Sequence, residues 1–200
     1  MIRLVIAEDQ RMLRGALGML LDFEEDMEVV GEAKDGLEAL SLILSLKPDV
    51  CLMDIDMPFK SGLEVAAELK KARSSCKVIM LTTFARPGYF ERAIKAEVHG
   101  YLLKDGSIDD LAESIRRVMV GKREFASELI INSYHKENPL SERDQEVLKL
   151  AAAGKTSKEI SMALFLSPGT VRNYMSEILQ KLEAKNKIEA IATAEEKGWI

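Results

Sequence analysis

Asp49-Val50-Cys51-Leu52-Met53-Asp54 is a short apolar run that ends in a carboxylate. Three further runs are built the same way. Ile2-Arg3-Leu4-Val5-Ile6-Ala7 leads into Glu8-Asp9, Lys77-Val78-Ile79-Met80-Leu81 into Thr82-Thr83, and Gly100-Tyr101-Leu102-Leu103 into Lys104. Short apolar runs separated by helix-length segments predict parallel strands buried on both faces. With one more run, strands are expected at 2–8, 27–33, 49–54, 77–83 and 100–104. Helical patterns lie near 11–23, 36–47, 62–73 and 88–97, and a last one near 107–120. Repeated βα units with right-handed crossovers build a doubly wound α/β sheet, here with five parallel strands in the order 2-1-3-4-5.

In such a sheet ligands sit at the carboxyl ends of the strands. Glu8, Asp9, Asp54, Thr82 and Lys104 are therefore expected at one edge. Clustered carboxylates repel one another unless a cation joins them, and hard oxygen donors suit Mg²⁺. Asp9 and Asp54 are the expected direct ligands, with Glu8 acting through water and the backbone carbonyl of Asp56 as a further ligand. The metal and Lys104 would offset the charge of an incoming phosphoryl group, so that Asp54 accepts it by in-line attack. Thr82 would bond a phosphoryl oxygen only in the modified state, which makes it a switch candidate. One acid or lysine at a strand end is ordinarily a solvated terminus. Four ends with complementary chemistry in the right order are not explained that way.

The 200-residue chain is 47% hydrophobic, ordinary for a globular protein of one or two domains. No stretch approaches the apolar length of a membrane span, so no membrane insertion is expected. The start runs directly into a strand and does not read as a signal peptide, so a cytoplasmic location is expected. Cys51 and Cys76 fit no metal or redox spacing and are expected as reduced thiols, Cys51 packed in its strand. The net charge is −5, and from Glu137 onward nine Lys and Arg face ten Asp and Glu. Bulk charge does not advertise a nucleic-acid partner, so any DNA contact must rest on where charges are placed.

The βα alternation covers residues 1–120. Residues 121–138 read as a linker, with a short helix at 127–134, and end at Asn138-Pro139. From 139 to 200 the pattern is wholly helical. Ser141 is an N-cap candidate, the helix it starts ends near Ala153-Gly154, and further helices fit 156–165, 168–183 and 187–197. Ser167 reads as the N-cap of the third, with Pro168 as its first residue. Val171, Met175, Ile178 and Leu182 make one apolar stripe, opposite Arg172, Asn173, Ser176 and Gln180. Arg and Asn are the residue types that read guanine and adenine edges. A helix-turn-helix accounts for the arrangement, one helix bracing across the backbone and the next entering the major groove. Ser167, Thr170, Lys155 and Lys158 would then bind phosphate, while Arg172, Asn173 and Ser176 face the bases. Periodicity alone favours a generic helical bundle with a solvated face.

Glu8-Asp9, Asp54 with Met57-Pro58 and Gly62, Thr82, and Gly100-Tyr101 before Lys104 together resemble the receiver domain (a flavodoxin-like fold) of bacterial two-component response regulators. Leu140-Ser141-Glu142-Arg143, Glu146-Val147-Leu148, Gly154, Lys158-Glu159-Ile160, Thr170-Val171-Arg172 and Lys181-Leu182 resemble the C-terminal domain of the NarL/FixJ (LuxR-type) regulators. The resemblance implies a transcriptional regulator. A sensor histidine kinase would phosphorylate Asp54, the receiver would dimerise, and the tail would bind promoter DNA. It also implies that Tyr101 changes rotamer when Thr82 moves. Several positions depart from the family pattern. Phe59 and Glu97 stand where glycine is common, and Glu97 is expected to take a left-handed conformation. Asp105 replaces a proline, Tyr174 a histidine and Glu177 an asparagine. The run Leu81–Phe90 and the ending Glu196-Lys197-Gly198-Trp199 are similar to a branch of the family that controls membrane-lipid desaturation.

An enzyme is the competing class. Asp54-x-Asp56, Thr82 and Lys104 also fit the core of haloacid-dehalogenase-type phosphatases. Pro58 stands where those enzymes carry Thr or Val, Asp109-Asp110 falls at a helix start, and the Glu8-Asp9 pair has no use there.

Overall fold

The computed structural model describes residues 1–83, 86–126 and 138–200. The strands are β1 (Ile2–Ala7), β2 (Met27–Ala33), β3 (Val50–Asp54), β4 (Lys77–Thr82), β5 (Gly100–Leu103) and β6 (Glu124–Phe125). The helices between them are α1 (Arg11–Asp22), α2 (Gly36–Leu46), α3 (Gly62–Lys71), α4 (Pro87–Lys95) and α5 (Ile108–Met119). Four more follow: α6 (Glu142–Ala152), α7 (Ser157–Leu164), α8 (Pro168–Lys181) and α9 (Lys187–Glu196). The chain divides into two compact units, the first carrying the sheet and the second α6–α9.

The sheet is parallel throughout, in the order β2-β1-β3-β4-β5-β6. All five residues of β3 are buried, as a central strand covered on both faces requires. One core gathers Leu4, Ile6, Leu52, Ile79 and Leu81 from the strands with Ala112, Ile115 and Val118 of α5. Helix starts are fixed by local caps. Asp35 accepts from the amides of Leu37 and Glu38 at 3.0 and 2.9 Å, Ser61 forms a capping box with Glu64, and Ser107 accepts from the Asp110 amide. Burial pushes both cysteine thiols up, Cys76 to about 12, so neither is a reactive thiolate.

The sheet has six strands rather than the five expected. The sixth, Glu124–Phe125, falls in the stretch read as linker. It continues the parallel ladder through Glu124 N–H to His99 O and Ala126 N–H to Tyr101 O, each at 3.0 Å. The Phe125 ring meets Phe90 edge-on, with centroids 5.8 Å apart. Two residues are too few to show a period, and one aromatic among charged neighbours gives no run. Glu97 does take the left-handed conformation, φ 57°, and so does the exposed Phe59, φ 64°. The helix expected at 127–134 lies outside the described residues.

In the second unit Val147, Leu148, Ile160, Val171, Ile178, Ala190, Ala194 and Trp199 form the core. The Ser141 and Ser167 caps form as expected.

Candidate functional site

β1, β3, β4 and β5 end together, and their last residues build the acidic edge. Register pairing sets Ala7 beside Met53, Asp54 beside Leu81 and Thr82 beside Leu103. The Lys104 amide then donates to Thr82 O at 2.8 Å, which fixes the start of the next loop. The helix after Asp54 begins against the strand end itself. The Gly62 amide donates to Ile55 O at 2.9 Å, and only a glycine fits at this approach. Gly36 plays the same part on the other side, where an added β-carbon would meet Lys60 O.

Glu8, Asp9, Asp54 and Lys104 meet. Carboxylate oxygens of Glu8, Asp9 and Asp54 all lie within 4.8 Å of one another. Glu8 and Asp54 are buried, whereas Asp9 is exposed. Lys104 Nζ sits 2.7 Å from Glu8 Oε2 and 2.9 Å from Asp54 Oδ1. Asp54 Oδ1 also accepts from the Ile55 amide at 2.8 Å, so this oxygen is held by two donors. Burial pushes both the Glu8 and Asp54 carboxyls up, against the pull of Lys104. Burial would lower Lys104, but its bonds to Glu8 and Asp54 outweigh this and hold it up. The ammonium is thus firmly charged between two acids. Three convergent hard-oxygen donors, two of them short of solvent, fit a small divalent cation. Asp56 is exposed in the loop after β3, and Thr82 is buried at the end of β4.

Tyr101 is fully buried, edge-on to Phe90 with centroids 5.8 Å apart. Phe90 in turn meets Phe125, so three rings form a row. Sequence reasoning missed Arg14, whose guanidinium donates to Glu8 O at 2.7 Å and lies 3.4 Å from Glu32. It ties α1 to the strand end that carries the acids. An isolated arginine on a helix gives no sequence signal for this.

In the second unit the expected DNA-facing residues fall on α7, α8 and their caps, except Lys155, which stands just before the Thr156 cap of α7. Lys155, Lys158, Ser167, Arg172, Asn173 and Ser176 are exposed, and Thr170 is half-buried. The Ser167 and Thr170 hydroxyls are 2.9 Å apart, and Ser167 Oγ accepts the Thr170 amide at 3.0 Å. Their first role is therefore to cap α8. Ser176 Oγ donates to Arg172 O at 3.1 Å. Thr156 proved to cap α7 in a box with Glu159, a T-x-x-E pattern visible in the sequence. A tie that sequence reasoning missed joins Lys181, at the end of α8, to the fully buried Asp144 of α6 at 2.5 Å.

The family model described as response regulator receiver domain matches residues 4–116. That of bacterial regulatory proteins, luxR family, matches residues 138–194. Over 200 residues, covering all of both chains, this chain is 66% identical to the uncharacterized transcriptional regulatory protein YvfU of Bacillus subtilis. It is 58% identical to the transcriptional regulatory protein DesR of the same organism, again over both full chains. Among solved structures, the response regulator RcsB in complex with DNA aligns over 98% of each chain, with 25% identity and a TM-score of 0.64. These matches exclude the phosphatase reading, since the family consists of transcriptional regulators. A receiver domain followed by a LuxR-type helix-turn-helix makes this chain a member of the two-component transcriptional response regulators.

Proposed function

We propose that Asp54 is the phosphoacceptor and that its modification controls DNA binding by α7 and α8. The observation that carries this is Lys104, held between Glu8 Oε2 and Asp54 Oδ1. Two donors fix Asp54 Oδ1, which leaves Oδ2 as the nucleophile. Oδ2 forms the bond to phosphorus as the donor's P–N bond breaks. The electron pair leaves with the imidazole of a phosphohistidine on a sensor kinase, and an acyl phosphate remains. Lys104 balances the charge gathered on the phosphoryl oxygens. Glu8, Asp9, Asp54 and the Asp56 carbonyl would hold Mg²⁺, which when bound offsets phosphoryl charge in the same way. Thr82 turns toward the new phosphoryl oxygen and Tyr101 follows, its ring moving against Phe90. Two receivers then pair.

An apolar groove of about 540 Å³ between α1 and α5, lined by Leu13, Leu17, Leu20, Ile108 and Leu111, supports a pairing face there. Ile115 and Val118, on the same apolar stripe of α5, face the other way and are fully buried in the core. Pairing brings two α8 helices to promoter DNA, where the second binds at high effective concentration.

The test is intact mass after incubation with acetyl phosphate and Mg²⁺. One phosphoryl group is expected on the native chain and none on Asp54→Ala, nor on the native chain with EDTA. Undiminished labelling of Asp54→Ala would sink the assignment.

A further inference from the structure

The turn between α7 and α8 holds a residue that intramolecular packing does not explain. Phe165 closes α7 in the left-handed conformation, φ 55° and ψ 43°, with its amide donating to Ser161 O. Glycine or asparagine usually fills such a cap, because a β-carbon is strained there. Phe165 is also 96% exposed, the most exposed large hydrophobic among the described residues. Its ring therefore gains little from burial while its backbone bears a conformational cost. A local rule broken without local compensation points to a role outside the folded unit.

Its surroundings say which. Lys158, Met162 and Phe165 follow one another at spacings of four and three, so they share the outer face of α7. Met162 is 63% exposed, and Lys158 is the exposed cation already read as a phosphate contact. Two residues beyond Phe165, Ser167 caps the helix that carries Arg172 and Asn173. The ring thus continues the DNA-facing surface, between its bracing and its reading helix.

We infer that Phe165 is an apolar DNA contact, laid against carbon surface at the groove edge. Two parts of a duplex offer that chemistry: the thymine C5 methyl and the carbon face of deoxyribose. The inference rests on the reading of α7 and α8 as the DNA interface.

The experiment uses the full chain after acetyl phosphate treatment and a duplex selected from a random library with the native protein. Phe165→Gly and Phe165→Asn both tolerate the left-handed cap, so the fold is kept. Each should weaken binding about five- to tenfold, the order expected for burying part of one ring. Each should leave the thermal midpoint unchanged or raised, because the strain is relieved. Replacing thymines by uracil, one at a time, separates the two sources. A uracil that weakens the native protein but not Phe165→Gly assigns the methyl. Equal weakening of both variants on selected and scrambled duplexes, with no uracil effect, assigns the sugar.

An unchanged Kd in both variants overturns the inference. If transcription falls while Kd stays unchanged, the ring serves a protein partner and the inference is equally overturned. A weaker Kd accompanied by a lower thermal midpoint overturns it in favour of a structural role. Arg172→Ala keeps the two readings apart: if it binds as tightly as the native chain, the reading of α8 fails. If it weakens binding and Phe165→Gly does not, only the present inference fails.

Discussion

A β-carbon added to Gly62 would stand 2.0 Å from the main-chain oxygen of Asp54. The first residue of α3 is thus in direct contact with the residue at the centre of the acidic site. Backbone on backbone leaves nothing soft to yield, so the position of Asp54 depends on an absent side chain.

Gly62→Ala should therefore cost about 1–3 kcal/mol, the range for forced shifts in a packed core. It should also slow phosphorylation by acetyl phosphate. Gly15→Ala is the control, since a β-carbon there meets nothing within 4 Å. In a helix interior that change should add about 0.5–1 kcal/mol. Urea midpoints of the two variants should move in opposite directions, and a shared direction would contradict the packing described.

Lys104→Met removes the cation between Glu8 and Asp54. The rate of phosphorylation by acetyl phosphate should fall at least about tenfold, the scale of losing one charged donor from a transition state. Mobility-shift gels that retard phosphoprotein give the rate. A native rate would show that the lysine only neutralises resting charge.

Asp144 and Lys181 form a tie whose removal should be costly. Lys181→Met strands a fully buried carboxylate and should destabilise the second unit by about 1–3 kcal/mol, less than a fully buried pair because Lys181 itself is partly exposed. Burial would raise the Asp144 carboxyl, but the Lys181 ammonium and the Ser141 donors outweigh it and hold it below its usual 3.8. A depressed carboxyl contributes stability that is complete above the unfolded value and lost as pH falls through the folded one. The melting difference between native protein and Asp144→Asn should be full at pH 6 and shrink below about pH 4. A difference that stays constant down to pH 2.5 would remove the ion pair as its cause.

Arg172→Ala should cost about 1–3 kcal/mol on the selected duplex and narrow the gap to random DNA. Lys158→Ala should weaken both duplexes alike and flatten the dependence of Kd on salt. Equal effects of the two variants on specificity would contradict the assigned division of roles.

The sheet and the acidic edge were legible because their signals are local. Val50–Asp54 is a continuous apolar run, and each functional residue directly follows such a run, so strand order alone brings them together. What stayed hidden depends on distance or brevity. Asp144 and Lys181 are 37 residues apart, and nothing in either neighbourhood marks the other. Glu124–Phe125 is too short to show alternation. On α5, Ile115 and Val118 share the apolar stripe with Leu111, and only the packed structure separates the two buried residues from the half-buried one that lines the groove. Ser167 and Thr170 were correctly placed at a helix start, but their mutual hydrogen bond had no sequence signature.

The Lys181–Asp144 tie also sets a rule for anyone who wishes to retarget this regulator. Grafting a foreign helix over Pro168–Lys181 looks like a self-contained exchange, because Ser167 caps one end from just outside it. The other end is anchored to α6, across the hydrophobic bundle. A graft without a cation at its last position would leave an acid buried in its host. The transplantable module is therefore the helix together with residue 144, and libraries that vary the exposed face of α8 should hold Asp144 and Lys181 constant.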